Sequence, residues 1–372
     1  MSKQKSKKKN IGQIVFMIIM LFAGMLCGAK AGEFLARADK NGESFFLYLV
    51  LMLLAIYLAM FIQIVVHEAG HLVFGILTGY QFASFRIGSF MLIKEDGKIK
   101  LRKYSLAGTG GQCLMVPPEL IDGKMPIVLY NLGGCLMNLF VSVVFAMIAY
   151  FTYENAFCYI FSVSMAVIGV AYALCNGIPM QVGPVTNDGH NALSLGKNPV
   201  ALKAFWLQLK INEQLSKGKR LKEMPVEWFN VPAEKDMDNG LVATLAVFHA
   251  NWLMDQCLID EAGEYIKELL DKKTGIIGLH RSLLISDRIY CELVAKDNVE
   301  EAVALHNKEH EKFIKQMKNN PSIIRSEYAY ANIAEQDEQK AKKLLERFEN
   351  VAKTYPYPQE IEGERELMFA SE

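Results

Sequence analysis

The chain has 372 residues, 52% of them hydrophobic, and its 40 Lys and Arg balance 40 Asp and Glu. A net charge of zero without any nucleic-acid-binding motif argues against a nucleic-acid partner. Cys27, Cys113, Cys135, Cys158, Cys175, Cys257 and Cys291 are scattered with no C-x-x-C pair. That argues against a disulfide framework or a cysteine-ligated zinc site and suits free thiols filling apolar space.

Residues 1–10 form a basic leader carrying Lys3, Lys5, Lys7, Lys8 and Lys9. Four apolar stretches then meet the need for about 20 residues to cross a bilayer: Ile11 to Ala29, Phe45 to Val66, Ile127 to Phe151 and Phe157 to Ile178. The length of the first favours a retained span over a cleaved signal peptide. The leader and the 78–125 loop, with Arg86, Lys94, Lys98, Lys100, Arg102 and Lys103, hold the basic charge. They are expected on the cytoplasmic side, which puts both chain termini there.

At the end of the second stretch, His67-Glu68-Ala69-Gly70-His71 fits H-E-x-x-H. Residues i and i+4 share one face of a helix, so both imidazoles can reach one zinc ion while Glu68 accepts a proton from water. A chance match in a chain of this length is expected about once in a hundred. Charged and imidazole groups ending an apolar span are costly in lipid and mark a functional site.

Within the 78–125 loop, Phe85 to Tyr104 alternates apolar and polar residues around Glu95-Asp96-Gly97, predicting a membrane-proximal β-hairpin. It is either a plain cytosolic loop or an edge strand for an extended substrate. The Gly108-Thr109-Gly110-Gly111 stretch and Pro117-Pro118 break the chain before the third span.

A catalytic zinc takes three protein ligands and keeps a fourth position open. Glu95, 24 residues beyond His71, and Asp188, directly after the fourth span, compete for the third place. The predicted topology returns Asp188 to the membrane side where the second span ends, which favours it; Glu95 lies among lysines in a hairpin turn. His190 is a spare, better read as a polar loop residue or a partner of a ligand.

From Pro199 onward apolar residues recur at helical intervals. The segments around Ala262, Ala302 and Ala341 look mutually related, each expected to open the second helix of a hairpin. This resembles tetratricopeptide-like repeats, whose concave surface would take a peptide or protein. His306 and His310 lie four apart on a charged helix, and a solvated face is expected for them.

Together these residues resemble the site-2 protease family of intramembrane metalloproteases. His67 to His71 match its first motif; Asn176, Pro179, Asp188 and Gly189 match its later N-x-x-P…D-G segment. Gly134-Cys-Leu-Met-Asn138 is similar to its glycine-to-asparagine motif, with Cys135 where a proline is common. The interval from Asn176 to Asp188 is longer than usual and includes Gly183 and Pro184. The resemblance implies Zn2+, a transmembrane protein or membrane peptide as substrate, and a bacterial plasma membrane as location. It also implies that Asn176 and Pro179 hold the substrate and that Asn138 lines the cleft or steadies the oxyanion.

The expected fold is therefore an α-helical multi-pass membrane protein. Residues 11–198 form a metalloprotease domain with about four spans and a small hairpin, followed by an all-α, repeat-like cytoplasmic domain over 199–372. The alternative is a non-catalytic protein that binds membrane spans or acts as a scaffold through its C-terminal half. An intact Glu68 speaks against that, because a binder needs no general base.

Overall fold

The computed structural model describes residues 2–40, 44–95, 97–104, 110–182 and 185–370, with backbone alone for 2–10, 37–39, 182 and 185. In chain order the elements are α1 (Ser2–Lys40), α2 (Phe45–Leu77), β1 (Gln81–Ile87), β2 (Phe90–Glu95), β3 (Lys98–Lys103), β4 (Gly111–Val116), α3 (Val128–Phe151) and α4 (Ala156–Gly177). They continue with β5 (Gln181–Val182), β6 (Val185–Thr186), α5 (Asp188–Ser194), α6 (Pro199–Ser216), α7 (Gly240–Asp255), α8 (Ile259–Asp271) and α9 (Gly278–Val294). The last are α10 (Val299–Leu305), α11 (Lys308–Gln316), α12 (Pro321–Ala329), α13 (Glu338–Ala352) and α14 (Pro358–Phe369).

Among the described residues, four helices are long and apolar enough to cross a membrane: Ile11–Ala36 within α1, and the whole of α2, α3 and α4. Ser44 and Asn155 start α2 and α4 by accepting from the Leu47 and Cys158 amides. Thr78 ends α2, its hydroxyl donating to the Phe74 and Gly75 carbonyls. Helix α2 runs past the apolar stretch expected to end at Val66, so His67–His71 belongs to the same continuous helix. At about 1.5 Å per residue, His67 lies roughly 33 Å along the axis from Phe45, a length comparable to the ~30 Å thickness of a hydrocarbon core.

Contacts divide the chain into two units: residues up to Gln81 with Pro118–Asn198, and Phe82–Pro117 with the residues from Pro199 onward. In the first, α4 packs on α2 and α3, and α1 packs on α4. Phe34, Met52, Ala55 and Ile160 form one core cluster, and Cys27, Ala59, Met165 and Ile168 a second. Helices α2 and α3 meet at backbone level, since a Cβ on Gly70 would lie 2.3 Å from the Gly133 carbonyl oxygen. Small residues permit this approach, and apolar neighbours in lipid could not otherwise draw the backbones so close.

Residues 82–117, expected with the metalloprotease domain, pack instead with the C-terminal unit. Strands β1 to β4 form one sheet in the order β3-β2-β1-β4, larger than the hairpin expected. On β2, Met91 and Ile93 are buried while Phe90 and Leu92 are exposed. The buried face requires a cover, which Ile211, Phe348 and Tyr355 supply in a shared core. The expected turn is present: Glu95 pairs with Lys98, and Gly97 has a φ of +77°, in the left-handed region that glycine tolerates. Asp96, Gly108 and Thr109 lie outside the described residues, and Gly111 opens β4.

In the C-terminal unit, α7 packs on α8, α9 on α10 and α12 on α13. Ala262, Ala302 and Ala341 are buried near the starts of α8, α10 and α13. The solvated face expected for the histidines is not found. His310 is 5% exposed and bonded to the Ser286 hydroxyl at 2.9 Å, while His306 pairs with Glu327 at 2.8 Å. Burial pushes the His310 imidazole down to about 4, with His306 adding to the effect. The two do not share a helix: His306 ends α10, while His310 lies on the buried side of α11, whose charged residues mark its exposed face. Cys27, Cys113, Cys135, Cys175 and Cys291 are buried free thiols, and Cys158 and Cys257 are exposed ones.

Candidate metal centre

His67 and His71 stand one turn apart on α2, and Asp188 is the first residue of α5. The fold brings the three together across 121 residues of chain. Asp188 Oδ2 lies 3.1 Å from His67 Nε2 and 3.4 Å from His71 Nε2, and the two Nε2 atoms are 3.2 Å apart. Both histidine side chains are 11% exposed and the Asp188 side chain 25%, so the group is reachable without being open.

Each imidazole is oriented by its other nitrogen. His67 Nδ1 bonds to Asn138 Oδ1 at 2.7 Å, and His71 Nδ1 to the Tyr130 carbonyl at 2.8 Å. Those acceptors select the Nδ1–H tautomer and leave Nε2 facing Asp188. Asn138 is itself fixed, its amide nitrogen donating to the Gln63 carbonyl at 2.9 Å and to Gln63 Oε1 at 2.6 Å. Gln63 Nε2 in turn donates to the Met165 carbonyl on α4 at 2.7 Å. This chain of bonds decides which end of the Asn138 amide faces His67. Gly134 makes room for the ring: a Cβ there would lie 2.5 Å from His67 Cε1.

Asp188 is positioned by the residue before it. Asn187 Oδ1 accepts from the Met180 and His190 amides, and its Nδ2 donates to the Cys175 and Ile178 carbonyls. One side chain thus caps α5 and ties it to the end of α4. Gly189 lets α5 seat there, as a Cβ would fall 2.0 Å from the Gly177 carbonyl oxygen. The long interval before Asp188 is taken up by β5 pairing with β6; Gly183 and Pro184 between them lie outside the described residues. Burial alone raises the Asp188 carboxyl, but bonds with His67 and His71 outweigh it and hold it well below the usual carboxylate range.

The other candidate residues fall as follows. Glu68 is half-buried on α2 beside His67. Asn176 donates to the Tyr172 carbonyl one turn back at 3.0 Å, and Pro179 is exposed just beyond the end of α4. Glu95 is engaged elsewhere, bonded to Arg102 at 2.8 and 2.9 Å and to Lys100 at 2.8 Å. The Arg102 bond, reinforced by Lys100 against the effect of burial, holds the Glu95 carboxyl below its ordinary value. His190 bonds to Ser194 at 3.1 Å.

Four contributors escaped the sequence. Gln63 carried a signal, a polar residue one turn before His67 in an apolar span. Asn187 carried one as a cap residue before Asp-Gly-His. Tyr130 acts through its carbonyl, which no side-chain pattern reveals. Cys135, expected as filler, has its sulfur in a group with the ligand atoms of His67 and Asp188, all within 4.8 Å of one another.

Three acceptor atoms at 3.1–3.4 Å demand positive charge among them, either a proton on an imidazole or a metal cation in its place. Zinc–ligand bonds of about 2.0–2.1 Å in a tetrahedron set ligand separations of about 3.3 Å. The residues therefore fit a zinc ion in type, count and spacing. A family model described as Peptidase family M50 matches residues 55–355, most of the chain. The chain belongs to peptidase family M50. No curated protein and no solved structure gives a significant match. Family M50 membership makes the chain a protease of a family that is generally zinc-dependent and membrane-embedded, in keeping with its four apolar helices.

Proposed function

We propose that this M50 protein is an intramembrane zinc endopeptidase that hydrolyses peptide bonds in or near transmembrane segments of membrane proteins or membrane-retained peptides. The observation that carries this reading is the convergence of His67 Nε2, His71 Nε2 and Asp188 Oδ2 within 3.4 Å, two of them on a helix apolar enough to cross a bilayer. His67, His71 and Asp188 would hold the zinc, which when bound supplies a Lewis acid that polarises the scissile carbonyl and acidifies water.

Glu68 takes the proton of the attacking water and delivers it to the leaving amine. Asn138, its oxygen committed to His67, acts here by holding the imidazole rather than by meeting the oxyanion. Asn176 and Pro179 frame the loop that leads to Asp188 and would border the substrate. A helix in lipid hides its peptide bonds in internal hydrogen bonds, so part of the substrate must unwind. Segments with Gly or Pro near the cut are then preferred. The basic leader and the basic 78–125 segment support a plasma-membrane protein, bacterial by resemblance, with both termini in the cytoplasm.

Metal content of detergent-purified protein tests the ligand set. About one zinc per chain is expected in wild type and in Glu95→Ala, and almost none in Asp188→Ala. Zinc retained without Asp188 would move the third ligand elsewhere, and no zinc in any preparation would end the hydrolytic reading.

A further inference from the structure

The C-terminal unit holds a partly open cavity of about 260 Å³ that the catalytic reading does not use. Four carboxylates line it, Asp255, Asp287, Glu360 and Glu364, against two guanidinium groups, Arg220 and Arg325. Three of the acids have a cationic partner: Asp255 pairs with Arg220 at 2.7 Å, while Asp287 and Glu364 both pair with Arg325. Glu360 has none among the described residues and takes a hydrogen bond from the Tyr355 hydroxyl at 3.0 Å. Burial, opposed by that bond and reinforced by Glu364 and Asp255, pushes the Glu360 carboxyl up to about 7. The site thus contains a carboxylate waiting for a cation.

It also contains donors waiting for an acceptor. Arg325 is 1% exposed, and its Nη1 has no hydrogen-bond partner among the described residues. His280, on the same cavity wall, leaves Nδ1 without one. A buried guanidinium hydrogen left unmatched is destabilising, and an oxygen arriving with a ligand satisfies it. Asn251 adds an amide to the lining.

We infer that this cavity binds a primary ammonium adjoining a carbonyl or carboxylate oxygen, as at the amino end of a peptide, with Glu360 taking the ammonium and Arg325 the oxygen. A plain polyamine lacks the oxygen and a carboxylic acid lacks the cation; the amino end of a peptide, or a free amino acid, has both. The volume lies just below the ~300–1,000 Å³ of drug-sized ligand pockets, which suits a chain end rather than a long segment. Tyr104 also lines the cavity. A ligand there touches the segment that the chain inserts between α2, with its histidines, and α3, with Asn138.

The test incubates the full-length protein in detergent with random-sequence tripeptide amides, with the same pool N-acetylated, and with a mixture of free amino acids. Retained material is read by mass spectrometry after gel filtration. Wild type is expected to retain free-amine tripeptides at least tenfold over acetylated ones, and Glu360→Gln to abolish the difference. Equal retention of the two pools, or none of either without amino-acid retention, overturns the inference. Free amino acids retained as well as tripeptides would identify a single amino acid as the source of the same chemistry. An acetylated pool retained through its lysine members alone would overturn the assignment of the oxygen. If Glu360→Gln fails to fold, wild type decides by crosslinking: a free-amine tripeptide with a photoreactive first residue should label the segments that line this cavity, and labelling elsewhere alone overturns the inference.

Discussion

The two units bury polar groups in different ways. In the C-terminal unit most buried charges complete one another: Arg325 lies between Asp287 and Glu364, and Arg220 between Asp255 and Glu366. Such sets offset much of their own desolvation, with Arg325 Nη1 left unmatched on the cavity side. In the membrane unit Met165, Gln63, Asn138 and His67 are bonded in sequence until the chain reaches Nε2, where two imidazoles and a carboxylate oxygen face each other. A network satisfied at its periphery and acceptor-rich at its centre is built to receive a cation. The difference separates architecture from site, and the cavity around Glu360 is where the C-terminal unit departs from its own rule.

The largest expected effect separates chemistry from metal binding. Glu68→Gln should lower cleavage by about 10²–10⁴-fold while zinc content stays at the wild-type level. The assay is proteolysis in liposomes of a transmembrane segment with Gly or Pro near its middle; zinc lost with the activity would merge the two roles. Next, Gly134→Ala puts a Cβ against the His67 ring, and zinc affinity should fall about 100-fold by competition with a chelator. Wild-type affinity would show that the ring has other room. Asn138→Ala should cost about tenfold in the same titration, because His67 loses its Nδ1 acceptor and Gln63 its amide donor.

A smaller effect probes the C-terminal unit. His310 has a folded value of about 4, below its ordinary value of about 6.5, so the folded state binds fewer protons in that interval. Stability from this group is complete above pH 6.5 and is lost as pH falls towards 4. His310→Gln should therefore flatten the acid side of the thermal midpoint profile by a few degrees; an unchanged slope would deny His310 that role. The smallest change is expected for Glu95→Ala, about 1 kcal/mol or less in stability from loss of partly exposed ion pairs, with zinc unaffected. Zinc lost there would erase the distinction between the units.

Local pattern carried much of this molecule. Five residues from His67 to His71 placed two imidazoles on one helix face with a carboxylate beside them, because 3.6-residue periodicity makes i and i+4 neighbours whatever the rest of the chain does. Composition determined the four membrane-length helices, since a backbone in lipid must satisfy itself and only long apolar helices do so. The alanines at 262, 302 and 341 marked helix starts through local signals of the same kind. Tertiary structure alone decided what depends on distance through space. It closed Asp188, which topology had only favoured, onto the histidines at 3.1 Å, aimed Asn138 at His67 from 71 residues away, and enlisted the Tyr130 carbonyl. It drew residues 82–117 into the C-terminal core because Met91 and Ile93 need a buried face that α6 and the segments around Phe348 and Tyr355 provide. Periodicity along the chain names the face a residue occupies; only packing determines what that face meets.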